Sequence, residues 1–538
     1  MKEGFRQSMS WLHIWLGVMV GWILYFVYLT GTLGYLDKEI DYWMTPDRPF
    51  FAEVPPQQQQ LALAQRYLQA MAPEASSWTI QLIAGREAPA LEAAWTSKPS
   101  DTTPRGRTTR TVLDPHTGEP VDYSARATAG GQVLYKMHYY LAYIPQDTAV
   151  LFIMACTMVM FAAMVTGVIV HKNIFKDLFT FRPGKGQRSW LDGHNLLSVT
   201  SLPFHLMVTY TGFTFFVFQF MPGVPNVIYD PLPGKTVAGQ MYEGTYPYPQ
   251  PVLPTAANAK TPLADLSPLL DEVDARWGKG LAFQVEVQKP GDANARVVVR
   301  PQELVSIAYP ENALVFDGVT GKLLEDFNPV HNAASNADHV MKGLHKGLFA
   351  NWFLRVLYVF MGVAGTAMIG TGLLLWSNKR KTRLLAAGKP LHVGIHLVDR
   401  LNLGTIIGSP IAIAAYFWAN RLLPLELTAR AEWEVHCMYL TLAAMFAWPC
   451  VRPLQSARVE MAWLGVAAFG LLPVLNAATT QRHLGVSLGQ GDWIMAGFDL
   501  VSLLCAALFA WYALAQRKRE KQSGVRQKLA ESAQIVTA

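Results

Sequence analysis

Four histidines stand in matching slots of this chain, each followed by a Thr-Gly pair. His13, His138, His194 and His345 precede Thr30-Gly31, Thr166-Gly167, Thr211-Gly212 and Thr371-Gly372. His13 to Thr30 spans 17 residues, and so does His194 to Thr211; the other two intervals are 28 and 26. Neutral imidazole ligates transition metals, and a b-type haem iron takes two axial ligands of this kind. Matched pairs beside apolar helices therefore point to bis-histidine ligation of haem b within a membrane. No C-x-x-C-H occurs, which excludes covalent c-type attachment.

The elements that must hold these histidines are membrane helices. The 538 residues are 51% hydrophobic and only 16% charged, too little charge for an ordinary soluble domain. A bilayer-spanning helix needs about 20 predominantly apolar residues. Eight stretches qualify, at about 11–36, 148–170, 194–220, 349–376, 402–423, 432–452, 459–478 and 493–516. The first is too long for a signal-peptide core and has no small-residue cleavage site, so it reads as a retained helix. Basic residues gather in every second connection: Lys2 and Arg6; Lys172, Lys176, Arg182, Lys185 and Arg188; Lys379 to Arg383; Arg452 and Arg458; Arg517 to Lys521. The positive-inside rule then places both termini in the cytoplasm and two large segments in the periplasm. Cys156, Cys437, Cys450 and Cys505 all lie in apolar runs, so those outer segments contain no disulfide.

The two outer segments repeat as well. Val112-Leu113-Asp114-Pro115-His116-Thr117-Gly118 matches Val315-Phe316-Asp317-Gly318-Val319-Thr320-Gly321. Residues 1–185 and 186–385 are thus two copies of a helix, outer-domain, helix unit. In the first outer segment Leu61–Met71 reads as helix, with strands at Ser77–Ile83 and Arg110–Leu113. In the second, Leu263–Arg276 reads as helix, with strands at Ala282–Gln288, Ala295–Arg300 and Ala313–Phe316. A Pro-rich stretch, 221–262, reads as a connecting loop. The domain plan is a first helix (1–36), an outer domain (37–147), a second helix with its inner loop (148–193), a third helix (194–220), a second outer domain (221–348), a fourth helix (349–385), a four-helix module (386–516) and a basic tail (517–538).

His13 and His194 occupy equivalent inner starts of helices one and three. His138 and His345 occupy equivalent outer starts of helices two and four. Pseudo-twofold packing of the copies lets each pair face one haem, one near each surface. His205 lies 11 residues beyond His194, on the same helical face and about 16 Å deeper. Pro203 in that turn is a candidate kink. His171 closes helix two on the inner side. These two are candidates for a third haem, or for replacing one member of the inner pair; a hydrogen-bonded histidine inside a bundle is the alternative. His116, His331, His339, His392, His396, His436 and His483 have no matched partner. Trp11, Trp15, Tyr139, Tyr140, Trp352 and Trp376 read chiefly as interfacial belt residues. The Thr-Gly pairs read chiefly as small-residue helix contacts, with a threonine hydroxyl bond to a backbone carbonyl or a ligand-supporting group as the alternative.

No dinucleotide-binding G-x-G-x-x-G, P-loop or H-E-x-x-H occurs, and no basic run interleaves with aromatics to suggest nucleic acid. Electrons must then come from a membrane quinol or a cytoplasmic reductase. The chain resembles the PepSY-associated transmembrane helix proteins, which include iron-regulated inner-membrane proteins and siderophore reductases. The matching pieces are Leu12-His13-Ile-Trp-Leu-Gly17, Leu29-Thr30-Gly31, Met137-His138-Tyr-Tyr-Leu, Asp192-Gly193-His194, Leu344-His345-Lys-Gly-Leu and Thr371-Gly372-Leu-Leu-Leu-Trp376. The resemblance implies a PepSY pair on a four-helix base, haem on His13, His138, His194 and His345, and reduction of ferric siderophores at the bacterial inner membrane. The four C-terminal helices depart from the pattern. Two other readings stand beside the redox one: a membrane-anchored peptide-binding or protease-regulating protein, and a repeat-built transporter, against which the first four helices show few midplane carboxylates.

Overall fold

The computed structural model describes residues 2–86, 88–101, 103–122, 125–171, 182, 186–216, 255–302, 306–308, 312–328 and 333–537. Most of the Pro-rich stretch, His331, Lys172, Lys176 and Lys185 lie outside the described residues. The chain divides into two compact units: residues 1–46, 126–209 and 357–538, and residues 47–125 and 210–356.

The first unit is helical. It contains α1 (Lys2–Gly34), α2 (Asp37–Met44), α4 (Gly130–Lys136), α5 (Gln146–Val170) and most of α6 (Gln187–Gly212) and α9 (Trp352–Ala386). Then follow α10 (Val393–Leu403), a π-helical turn (Gly404–Gly408), α11 (Ser409–Leu422), α12 (Arg430–Val451), α13 (Leu454–Gly470), α14 (Leu472–Thr479), α15 (Leu484–Gln490) and α16 (Trp493–Thr537). Seven described helical stretches are long and apolar enough to cross a bilayer: 4–34, 146–170, 352–386, 393–422, 430–451, 454–479 and 493–519. The eighth expected span falls on α6, which is 26 residues long but too polar to qualify. Its polarity is partly internalised, because Ser198 and Thr200 hydroxyls donate to the carbonyls of His194 and Leu196 at 2.6 and 2.8 Å. Pro203 lies inside α6 without ending it.

The second unit carries α3 (Gln57–Met71), β1 (Ser77–Gln81), β2 (Leu91–Thr96), β3 (Thr108–Leu113), α7 (Leu269–Trp277), β4 (Ala282–Gln288), β5 (Arg296–Pro301), β6 (Ala313–Asp317), β7 (Leu323–Phe327) and α8 (Ala333–Lys346). The two outer segments, read separately from the sequence, contribute to one seven-stranded antiparallel sheet ordered β3-β2-β1-β4-β5-β6-β7. The join is β1 against β4, with Ser77 opposite Gln288, Thr79 opposite Glu286 and Gln81 opposite Gln284. Pairing the first strand of each copy removes two open edges at once. One face carries the core: Trp78, Ile80, Val285, Val287, Val297, Val299, Leu314 and Phe316, covered by Leu61 and Leu68 of α3 and Leu270 and Val273 of α7. Alternation along β1 places Trp78 and Ile80 on that face. Glutamines of α3 stitch the copies together: Gln65 donates to the Ala264 carbonyl and accepts from the Leu266 amide, and Gln57 donates to the Ala282 carbonyl.

The repeated Asp-x-x-Thr-Gly motifs form the same turn twice. The Asp114 carboxylate accepts from the His116 and Thr117 amides, and Asp317 from the Val319 and Thr320 amides. Gly118 and Gly321 close the turns at φ 78° and 70°, a conformation that favours glycine.

Candidate functional site

Each Thr-Gly pair is a socket for a histidine from another segment of the same repeat copy. His13 of α1 reaches α5, where its Nδ1 lies 2.8 Å from the Ala163 carbonyl, three residues before Thr166. The Thr166 hydroxyl is 3.5 Å from the same nitrogen. The ring seats over Gly167, where a Cβ would stand 3.1 Å from His13 Cε1. The second copy repeats this arrangement. His194 of α6 places Nδ1 3.0 Å from the Met368 carbonyl and 3.2 Å from the Thr371 hydroxyl, and a Cβ on Gly372 would stand 3.2 Å from its Cε1.

The reverse sockets share the contact of histidine on glycine. His345 Nδ1 lies 3.1 Å from the Thr211 hydroxyl, and a Cβ on Gly212 would stand 3.2 Å from His345 Cε1. His138 packs on Gly31, whose Cβ would meet its side chain at 3.5 Å, while its Nδ1 bonds the Tyr135 carbonyl. These two residues do not open the spanning helices, as the sequence reading has it. His138 follows the short α4, and Pro145 then starts α5. His345 sits in the last turn of α8, which Gly347 ends at φ 62° before α9. A left-handed glycine or a proline there breaks the chain between histidine and span.

A carbonyl acceptor forces Nδ1 to carry the proton, because a carbonyl cannot donate. That fixes the tautomer and leaves Nε2 with its lone pair. Among the described residues, Nε2 of His13 and of His194 has no hydrogen-bond partner. The two rings lie within electrostatic range of each other. An imidazole tied at one nitrogen and open at the other is the arrangement of a metal ligand with its supporting shell. A Cβ at Gly167, Gly212 or Gly372 would crowd the ring, so glycine and threonine serve the histidine as much as the helix contact. The sequence reading favours helix contact and keeps a supporting-group role for the threonine as its alternative; the sockets combine the two. The signal was present, since the four pairs recur with the four histidines.

His138 belongs to the first unit and His345 to the second, and each is seated within its own. His205 is 1% exposed, and neither of its ring nitrogens has a hydrogen-bond partner among the described residues. Its ring meets Tyr28 edge-on at 5.4 Å and lies against Gly365. His171 caps α5 with Nε2 buried and unpartnered among the described residues. Tyr28 is 15 residues along α1 from His13, about 22 Å of helix. His171 follows Gly167, beside His13. The two extra histidines thus sit at different depths.

His436, unmatched in the sequence, hydrogen-bonds the Tyr143 hydroxyl and stacks on that ring. The C-terminal helices also contribute directly to the histidine-bearing bundle. Trp22 of α1 donates to Asn402 at 2.8 Å, and Asn402 donates to the Leu373 carbonyl of α9 at 3.3 Å. A buried polar cluster ties α12 to the segment before α4. Arg430 and Glu434, both fully buried, pair at 2.7 Å, and Glu434 accepts from the Thr128 hydroxyl and the Ala129 amide. Trp43 donates to Asp499 at 3.0 Å and stacks on Phe498, with the Arg421 guanidinium 3.7 Å from its ring.

The family model for the PepSY-associated TM region matches residues 10–379. An uncharacterized protein of Pseudomonas aeruginosa, PA4219, is similar at 25% identity over 382 residues, covering 65% of this chain and 86% of that protein. The match ends at the last residues of α9, so it takes in both repeat copies and all four sockets. Seven apolar spans, an antiparallel sheet built from two copies, and a family match over more than half its length make this chain a multi-pass membrane protein that belongs to the PepSY-associated transmembrane family.

Proposed function

We propose that this protein binds haem b through paired histidines and carries electrons across the bacterial inner membrane to reduce ferric siderophores, or other ferric chelates, at the periplasmic face. His13 and His194 are the inner pair; His138 and His345 are the outer pair. The observation that carries the reading is the tying of Nδ1 of His13 and of His194 to a carbonyl in equivalent sockets, with Nε2 left open. Bound between such nitrogens, haem b supplies one-electron chemistry at its iron.

The chain's own contribution is orientation and environment. The carbonyl bond to Nδ1 fixes the ring and raises the basicity of Nε2. The apolar helices exclude water, which together with the ligand type sets a potential. The donor is a quinol or a cytoplasmic reductase, since the sequence carries no nicotinamide or flavin fold of its own. The basic connections supply the orientation: the end of α9 and its following loop face the cytoplasm by the positive-inside rule.

The deciding measurement is made on the purified full-length chain. A reduced-minus-oxidised difference spectrum should show a b-type haem, and a pyridine haemochrome should give two haems per chain. His13→Ala and His194→Ala should each remove about half the haem. A chain that folds and purifies with no Soret band defeats the redox reading and leaves the peptide-binding alternative standing.

A further inference from the structure

We propose that a cleft at the basic end of α1 and α9 is a binding site for the phosphate of an anionic phospholipid headgroup. The cleft has a volume of about 590 Å³ and is lined by Trp15 of α1, Trp376, Arg380 and Arg383 of α9, and Lys389 and His392 of the connection to α10.

Three fixed cations line one cavity, and no carboxylate lines it among the described residues. Among the described residues Arg383 and Lys389 have no ion pair, and the Arg380 guanidinium has no carboxylate partner: it bonds the Trp376 carbonyl at 3.4 Å and lies over the Trp376 and Trp15 rings. The neighbouring Lys381 shows what a compensated cation looks like here: Asp399 holds it at 2.9 Å. Arg383 and Lys389 are exposed beside Arg380, and like charges gathered without a carboxylate attract an anion.

The shape favours a phosphate over a flat aromatic ring. Trp15 and Trp376 meet as a corner, 6.0 Å apart at 77°, and offer no slot between parallel faces. Arg380 already covers the Trp376 face at 3.8 Å. The surroundings favour a lipid over a soluble phosphate. Trp11 and Met19 of α1, Leu385 of α9, and Val393 and Leu397 of α10 are large exposed apolar side chains on the same elements, a surface for acyl chains. Tryptophan with arginine and lysine is the composition of the membrane interface, and basic pockets between helices on the cytoplasmic side take anionic headgroups. The inference rests on the membrane character of the chain and not on its redox role.

The test uses the full-length chain, purified in detergent and examined by native mass spectrometry after addition of phosphatidylglycerol, cardiolipin or phosphatidylethanolamine. The expected result is one retained phosphatidylglycerol or cardiolipin and no retained phosphatidylethanolamine. Each basic residue near the surface is worth about fivefold in affinity, so R380Q/R383Q/K389Q should weaken retention roughly 100-fold. The exposed single change K389Q guards against a misfolded triple variant and should weaken it about fivefold. Raising salt should release the lipid from the wild type. A parallel titration with riboflavin 5′-phosphate, followed by flavin fluorescence, separates the sources. Equal retention of zwitterionic and anionic lipid, retention unchanged in both variants, or flavin phosphate binding without lipid binding each overturns the proposal.

Discussion

At the scale of single residues, the histidines and their recurring Thr-Gly pairs were legible in the sequence, and the carbonyls that hold the rings were not. The imidazoles announce themselves because a titratable group beside an apolar helix is costly. The acceptors are main-chain carbonyls of Ala163 and Met368, and nothing in an alanine or a methionine marks its carbonyl as special. The glycines carry a sharp expectation. Gly167→Val or Gly372→Val adds bulk where even a Cβ lies 3.1 or 3.2 Å from an imidazole carbon. Each should displace its ring without unfolding the chain; on the proposed haem reading this removes the haem of the His13–His194 pair, read as loss of about half the pyridine haemochrome with unchanged helix signal in circular dichroism. Thr371→Val should be milder. It deletes the hydroxyl beside His194 Nδ1 but leaves the Met368 carbonyl, so haem affinity should fall about 10-fold, the low end of supporting-shell effects.

At the scale of elements, helix and strand positions followed hydrophobic period, and the misses have physical causes. Strand β2 (Leu91–Thr96) went unread because Leu-Glu-Ala-Ala-Trp-Thr carries two alanines, poor strand formers. Helices α2, α4 and α8 are short or weakly apolar, and tertiary contacts stabilise them more than propensity does. The buried pair Arg430–Glu434 was invisible because both residues lie at the outer end of a span, where charge normally meets water. Removing one partner strands the other: Glu434→Leu should cost about 3–5 kcal/mol, while R430M/E434L should recover much of that, measured by thermal unfolding in detergent. The Asp317 turn sets an acid limit on the sheet. Burial works against its charge, but the amides and hydroxyl it accepts, together with Arg296, hold its pKa below the usual aspartate value. A depressed folded pKa stabilises above the unfolded pKa and is lost as pH falls through the folded one. The sheet should therefore weaken progressively below about pH 4, and Asp317→Asn should flatten that dependence in urea melts.

At the scale of the whole molecule, duplication was the most legible feature, because two copies of a motif need no physics to be seen. The union of the two outer segments in one sheet was not legible. Strand partners are chosen by edges that sequence period does not distinguish. Topology is the next expectation to check: alkaline phosphatase inserted after Gly106 should be active, and a fluorescent protein fused after Ala538 should fold in the cytoplasm and glow. The β1–β4 ladder carries a historical consequence. A half-length ancestor with a single outer segment leaves β1 as a bare edge, and the strand best suited to cover it is the same strand of a second molecule. Such an ancestor would have been a homodimer held by that ladder, each subunit seating its own histidines. Fusion of two such halves would let each histidine socket change without its counterpart.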